Sequence, residues 1–194
     1  MNALMKRWRR LGPFTEAFGT PIVALLDPES AYGRIIINRL SILEQGTAHT
    51  LTVMQVLGRD KVAVGGATGQ ATFKILSANA TGMAANDYLV IRGIDGRCFV
   101  GVVSVVGADI AGVRIITLAA NLTYAVEAGA EIYFFGVIGD GHEQRLLTVS
   151  STNTFESEYG YFGANQRGEP MLLHIGNATA AATIQAVVCP TIDA

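Results

Sequence analysis

The sequence predicts an all-β protein: a β-sandwich with an inserted or adjoining small β-barrel and an N-terminal arm. Three observations lead to this prediction. The chain holds 22 glycines and many Val, Thr and Ala residues, which suits short strands joined by tight turns. From residue 34 onwards, runs of β-branched and aromatic residues alternate with clusters of turn-forming residues. No stretch approaches the about 20 consecutive apolar residues that a membrane-spanning helix requires.

Residues 1–21 form the predicted arm, which carries a basic cluster around the single tryptophan. The cluster consists of Lys6, Arg7, Trp8, Arg9 and Arg10. The first ten positions hold four of the 14 basic residues, so residues 11–194 carry 10 basic against 16 acidic groups, a net charge of −6. An acidic body repels phosphate backbones, so we expect neither a nucleic-acid nor a membrane partner. The cluster is predicted to bind an acidic neighbouring subunit; solvated disorder and contact with an anionic membrane or a nucleic acid are the alternatives.

Two segments that flank the centre of the chain, residues 22–64 and 144–192, are assigned to one β-sandwich. The β-branched runs at 34–43 and 49–57 enclose a short polar segment with one glycine, which predicts a hairpin. Residues 181–187 repeat the order of small, Thr and large apolar positions found at 48–54, which favours two strands of one sheet.

Residues 71–136 are predicted to form the small barrel. Gly-rich turns join the second run to the third and the third to the fourth, which is typical of a meander that closes into an SH3-like or OB-like barrel. Gly101, inside the long third run, fits a bend at a barrel corner. Insertion of the barrel between the sandwich segments is favoured over two consecutive domains. The five predicted strands are 71–76, 87–92, 97–106, 113–118 and 131–135.

Side chains suited to catalysis are sparse. His49, His142 and His174 lie far apart, without the spacing of metal ligands. Residues 140–143 read as a hairpin turn, with a bound cation as the alternative. The sequence contains neither a nucleophile elbow nor a phosphate-binding loop. We therefore expect no enzymatic activity, no metal and no cofactor.

A second candidate binding surface lies in residues 155–163, where aromatic side chains stand among glycine and glutamate. Tyr159, Tyr161 and Phe162, with the nearby Arg167, are predicted to contact a partner protein or to stack against a sugar. The alternative is that these aromatic side chains close one end of the sandwich.

Only 15% of residues are charged, and the segments 85–92, 96–105 and 168–179 resemble virion structural proteins of tailed bacteriophages, closest to capsid decoration (cement) proteins. The resemblance implies a virion component, assembled in the host cytoplasm, that binds the major capsid protein and stabilises the lattice. A tail-tube, baseplate or fibre-attachment subunit and a carbohydrate-binding module are the alternatives. The 50% hydrophobic content predicts a homo-oligomer, with a trimer as the expected state.

Overall fold

The computed structural model describes only part of the chain, and that part is built almost entirely of strands. No α-helix occurs in the described ranges, where one 3-10 turn, Ser77–Asn79, accompanies 15 strands. The all-β prediction is confirmed. The structure describes residues 9–15, 22–27, 34–36, 39–42, 49–79, 82–136, 143–149, 153–156, 168–176 and 183–191. The strands are β1 (Arg9–Thr15), β2 (Ile22–Leu26), β3 (Arg34–Ile36), β4 (Arg39–Ile42), β5 (His49–Met54), β6 (Gly58–Val64), β7 (Thr72–Leu76), β8 (Tyr88–Arg92), β9 (Cys98–Val106), β10 (Val113–Leu118), β11 (Glu131–Gly136), β12 (Glu143–Val149), β13 (Asn153–Glu156), β14 (Met171–Gly176) and β15 (Thr183–Thr191).

Internal contacts divide the chain into two units. One comprises residues 1–55 together with 143–194, and the other is the continuous segment 56–142. Met54 of β5 pairs directly with Glu143 of β12, so the second unit interrupts a pair of adjacent antiparallel strands. We call the two units the flanking unit and the barrel unit.

The flanking unit contains two sheets whose paired strands are antiparallel. One sheet has the order β1-β15-β4-β13, with β3 as a further partner of β15, and the other has the order β12-β5-β14-β2. The chain crosses repeatedly between them: β1 lies in the first sheet, β2 in the second, β4 in the first and β5 in the second. After the barrel unit, β12 lies in the second sheet, β13 in the first, β14 in the second and β15 in the first. This is the connectivity of a jelly roll, in which two Greek keys wind eight strands into two four-stranded sheets.

Strand β14 holds the centre of the second sheet because it is apolar on both faces. Leu173 pairs with Ala24 of β2 on one side and with Val53 of β5 on the other, and all three side chains are buried. The neighbouring residues Met171 and Leu172 are fully buried as well. A strand buried on both faces reads as a continuous apolar run, as Met-Leu-Leu does here.

The barrel unit closes on itself in the strand order β10-β7-β6-β11-β8-β9. Side chains alternate between the inside and the outside of the barrel: in β7, Phe73 and Ile75 point inward and are buried, while the residues between them are exposed. The interior is a single apolar cluster. It contains Val62, Phe73, Ile75, Met83, Leu89, Ile91, Phe99, Val103, Ile116, Leu118, Leu122, Val126, Ala130, Ile132 and Phe134.

Three strand assignments from the sequence are wrong. The runs at 34–43 and 49–57 do not form a hairpin, because β4 pairs with β13 and β15 whereas β5 pairs with β12 and β14. For the same reason β5 and β15 lie in different sheets. Strand β6, assigned to the sandwich segment 22–64, belongs to the barrel, where Val62 joins the core and Gly58 lies against the ring of Phe134. The barrel therefore has six strands instead of the five predicted.

Candidate interaction surfaces

The structure describes only the last two residues of the predicted basic cluster. Arg9 and Arg10 begin β1 and pair with Val188 and Val187 of β15. Lys6, Arg7 and Trp8 lie outside the described residues. The segment 9–15, expected to be part of an arm, is thus the outermost strand of the first sheet.

Strand β1 is paired along only one side within the described sheet, so its other edge presents backbone donors and acceptors. The pairing register shifts between Leu11 and Phe14, where Gly12 and Pro13 stand. Proline lacks the N–H that a ladder needs, and it is tolerated at edges and bulges, which explains its position here. The bulge also interrupts the row of groups that a further strand could use.

The predicted aromatic surface, with Tyr159, Tyr161, Phe162 and Arg167, lies outside the described part of the chain. The strand that leads into it, β13, is described and forms the other edge of the same sheet. Both predicted partner-binding segments are therefore continuous with edge strands of one sheet, at its opposite sides.

The outer surface of the barrel has two different halves. On β8 and β11, outward-facing Val90, Tyr133 and Phe135 are buried, with Val90 fully so. On β7 and β10, which stand opposite in the closed ring, large aliphatic side chains are exposed. Exposed aliphatic residues grouped on one face indicate a binding surface more strongly than scattered ones do.

We call this group the aliphatic face. Its members and their exposed fractions are Val64 (50%), Leu76 (49%), Val105 (52%), Ile110 (69%) and Ile115 (41%). Lys74 pairs with Val64 on one side and with Ile115 on the other, so these three form one cross-strand row.

The neighbouring rows extend the aliphatic face in both directions. Leu76 pairs with Val113, which forms a bridge with Ile110, and Val105 pairs with Thr117. Directly opposed residues in a ladder have Cβ atoms about 5 Å apart, so the surface is continuous.

A polar cluster lies on β8 and β11, the strands whose outward side chains are buried. The Tyr133 hydroxyl donates to Glu131 Oε2 at 2.5 Å and accepts from Arg92 Nη1 at 3.0 Å, and the guanidinium of Arg92 lies 5.0 Å from the ring centroid. Arg92 and Glu131 also form an ion pair at 3.4 Å. Burial, reinforced by the hydrogen bond to Glu131, raises the pKa of the Tyr133 phenol.

An open cavity of about 400 Å³ adjoins this cluster. Its lining mixes charged and apolar groups, with Arg59 and Lys61 standing opposite Tyr133 and Glu131 on the paired strands. The carboxylate of Glu131 accepts a hydrogen bond from Tyr133 and forms an ion pair with Arg92, so the cluster is a side-chain link, or clasp, between the neighbouring strands β8 and β11.

A second clasp closes the turn between β8 and β9. Arg97 Nε contacts Asp95 Oδ2 at 2.5 Å, and its guanidinium lies 4.8 Å from the centroid of Tyr124, whose hydroxyl donates to the carbonyl oxygens of Ile91 and Arg97. Hydrogen bonds from the Arg97 backbone and side chain lower the pKa of Asp95. Burial raises the pKa of Tyr124 to about 12.

The histidines do not come together as a metal centre in the part of the chain that is described. No group of three or more His, Cys, Asp or Glu side chains lies within ligating reach there. His174 is buried on β14 opposite Thr52, and burial lowers the pKa of its imidazole. His142, with the predicted turn at 140–143, lies outside the described ranges. The same ranges contain no helix long and apolar enough to cross a bilayer.

Sequence reasoning missed the aliphatic face, although the sequence carries a signal for it. Residues 113–118 of β10 place apolar side chains on both faces of one strand, with Ile116 fully buried and its neighbour Ile115 exposed. A strand with one solvated face would alternate apolar with polar residues. Adjacent isoleucines in a strand therefore indicate a second apolar face.

The comparisons with known proteins give one structural likeness. No family model matches the chain, and no curated protein matches it. Among solved structures it is similar to VP17, a capsid protein of bacteriophage P23-77, at 12% identity and a TM-score of 0.22 over 100% of this chain and 99% of that chain. The name of that protein describes a capsid protein and not a decoration protein.

Proposed function

We propose that this protein is a non-enzymatic structural subunit of a virus shell. The observation that carries the proposal is the connectivity of the flanking unit, whose strands follow the jelly-roll order in both sheets. Viral capsid proteins are a principal class built on this fold, alongside lectin and cupin domains. Because one fold hosts several functions, the proposal also needs support from the surface of the molecule.

The surface supports a role in assembly. The chain combines 50% hydrophobic with 15% charged residues, and its barrel carries the contiguous aliphatic face. Obligate subunit interfaces resemble a domain core cut in half, so a lattice subunit accommodates such a composition. Within the virion, we expect self-association, with a trimer as the simplest state.

Two positions in a shell fit these features. A lattice-forming subunit is favoured by the jelly-roll connectivity. Decoration of a lattice made by a separate major capsid protein, which the sequence resemblance predicts, is favoured by the inserted barrel, since its aliphatic face offers a docking surface additional to the jelly roll. In either position, the basic cluster and the aromatic segment are proposed to contact the neighbouring subunit. Their residues are Lys6, Arg7, Trp8, Arg9, Arg10, Tyr159, Tyr161, Phe162 and Arg167.

The test separates these positions. The purified protein would be studied alone and after mixing with empty capsids, by sedimentation and by electron microscopy. Closed shells or symmetric rings formed by the protein alone support a lattice subunit. Stoichiometric density on preformed capsids, with a higher capsid melting temperature, supports decoration, because a ligand of the assembled lattice stabilises it by mass action.

Two results would contradict the proposal. One is a protein that neither self-associates nor binds capsids at micromolar concentration. The other is retention on glycans that is lost in Tyr159→Ala or Tyr161→Ala, which would instead establish the sugar-binding alternative.

A further inference from the structure

We infer that β1 of one copy of this chain pairs with β13 of a second copy, so that the first sheet of the flanking unit continues from one subunit into the next. The inference rests on the proposed function, which brings many copies together, and it identifies the contact and the partner. Three observations carry it: the two strands are edges of one sheet, they run in opposite directions, and their sequences carry opposite charges.

Strands β1 and β13 are the two ends of the strand order in this sheet. Among the described residues, β1 pairs only with β15, and β13 pairs only with β4. Each strand therefore has a row of backbone donors and acceptors that no described strand uses. Such an edge can bind an additional strand through main-chain hydrogen bonds, the mode known as β-augmentation.

The directions of the two edge strands allow one sheet to continue into the next. Strand β1 is antiparallel to β15, β15 to β4, and β4 to β13, so β1 and β13 run in opposite directions. A second copy that lies beside the first in the same orientation thus sets its β1 antiparallel to β13. The register shift after Leu11 leaves residues 9–11 as the regular part of β1, which the four residues Asn153–Glu156 can span.

The sequences around the two edges carry opposite charges. Residues 1–15 contain four basic residues and no acidic one, whereas residues 146–166 contain two acidic residues and no basic one. Opposite charges across a ladder stabilise the pairing, and like charges oppose it. Two β1 strands would bring two basic clusters together, so the partner that fits β1 is the edge formed by β13.

Charge also selects the register. An antiparallel ladder with Arg9 opposite Glu156 sets Arg10 opposite Phe155. Two positions before Arg9 and two positions after Glu156, the sequence again has a base, Arg7, and an acid, Glu158. No other antiparallel register of residues 6–10 with residues 153–158 opposes two bases to two acids.

Glu156 is paired with Arg39 of β4 in its own sheet. In the continued sheet it lies in a row between two arginines, which a carboxylate accommodates because its two oxygens accept about four hydrogen bonds. The barrel contains a row of the same kind, in which Glu131 is paired with Arg92 on one side and Lys61 on the other.

The contact joins two different surfaces, so every copy offers one β1 edge and one β13 edge. Heterologous contacts of this type generate rings when the rotation between copies closes, and extended arrays when it does not. A continued sheet therefore gives a shell subunit a repeating contact in which no copy needs a different conformation.

Cysteine cross-linking tests the pairing. In a chain that carries Cys98→Ser and Cys189→Ser, Arg9→Cys and Glu156→Cys are introduced on separate copies, which are mixed and oxidised with copper phenanthroline. Directly opposed residues of an antiparallel pair have Cα atoms about 4.5–5.5 Å apart, a separation that a disulfide bridges. The measurement is made on the assembled form, which is the self-associated chain or, where the chain alone is monomeric, the chain bound to empty capsids.

The mixture is expected to give about tenfold more disulfide-linked dimer than either variant alone. Arg10→Cys mixed with Glu156→Cys is the matched control, because position 10 falls on the opposite face of the ladder and one step out of register. Hydrogen exchange of the unsubstituted chain gives a second measurement that does not depend on the folding of the variants. Amides within residues 9–11 and 153–156 are expected to exchange more slowly in the assembled form than in the dilute chain.

The inference is overturned by equal dimer yields from the mixture and from the Arg10→Cys control. Dimers that form as readily from one variant alone also overturn it, because they show a symmetric contact, and so does unchanged hydrogen exchange on assembly. An assembled chain with any of these results leaves the proposed function standing. A chain that neither self-associates nor binds capsids contradicts both.

Discussion

Replacing Gly66 with alanine is expected to loosen the segment that closes one end of the barrel. Gly66 forms a reciprocal backbone bridge with Val126: its N–H donates to the Val126 carbonyl at 3.0 Å, and the Val126 N–H donates back at 2.8 Å. A Cβ atom at position 66 would lie 2.4 Å from the carbonyl oxygen of Thr72 and 2.8 Å from a methyl group of Leu122. The first contact is with backbone, which cannot rotate away.

The magnitude follows from what this collision displaces. The bridge contains two backbone hydrogen bonds, each contributing about 1 kcal/mol net. Leu122 and Val126 belong to the buried core, and partial exposure of the two side chains costs about 1–2 kcal/mol more. We therefore expect Gly66→Ala to lower the free energy of unfolding by about 3–4 kcal/mol.

Urea denaturation followed by far-UV circular dichroism measures this loss, and hydrogen exchange at the Val126 amide locates it. Gly69→Ala is the control, because Gly69 has a φ of +81° with open space around it, so alanine there meets only backbone strain of about 1 kcal/mol. Equal losses in the two variants, or a loss below 1 kcal/mol in Gly66→Ala, would refute the reasoning from collision.

Four further predictions concern the interior and its titrating groups. His174 is buried and its imidazole has a lowered pKa, so its contribution to stability is complete above about pH 6.5 and is lost as the pH falls through the lowered pKa. On acidification, the urea midpoint of His174→Gln should therefore drop less than that of the wild type. Tyr124, with a pKa of about 12, should stabilise the fold fully below pH 10 and progressively less above it. Phenolate absorbance measured in an alkaline titration checks this: the wild type should contain one tyrosine that ionises near pH 12 and is lost in Tyr124→Phe, and identical titration curves at that pH would contradict the prediction. Ile75→Ala should cost about 3 kcal/mol in thermal unfolding, whereas the outward Ile115→Ala should change stability by less than about 1 kcal/mol; similar losses would contradict the assignment of faces. The isolated segment 56–142 should unfold cooperatively by calorimetry, because the entire barrel core lies within it, and a broad transition would count against independence of this unit.

The residue pattern within each strand was enough to predict the strands of the barrel. It was not enough to predict which strands of the flanking unit pair with each other. In β7, Phe73 and Ile75 alternate with exposed residues, so the strand and its inward face can be predicted from the sequence. The pairing of β5 cannot, because its partners β12 and β14 lie about 90 and 120 residues further along the chain. The segment between residues 43 and 49 has the composition of a hairpin turn, and nothing local shows that the two strands join different sheets.

The candidate surfaces show the same limit. A basic cluster and an aromatic segment are visible as composition, whereas the aliphatic face exists only once β6, β7, β9 and β10 are set side by side. Val64 reads as an ordinary core valine until its pairing with Lys74 places it on the outside of the barrel. Exposure of an apolar residue depends on register, which the sequence of one strand does not determine.

The insertion of the barrel between β5 and β12 also bears on the order of folding. In the unfolded chain, pairing Met54 with Glu143 closes a loop of almost 90 residues. Once the barrel has formed, Gly58 is paired with Phe134. The loop that remains to be closed when Met54 pairs with Glu143 then consists only of residues 55–57 and 135–142. Shortening the loop roughly eightfold lowers the entropic cost of closure by about 2 kcal/mol. We therefore expect the barrel to act as an internal nucleus: its prior folding should favour the strand pair that joins the two halves of the jelly roll, and changes that delay folding of the barrel should slow formation of the second sheet.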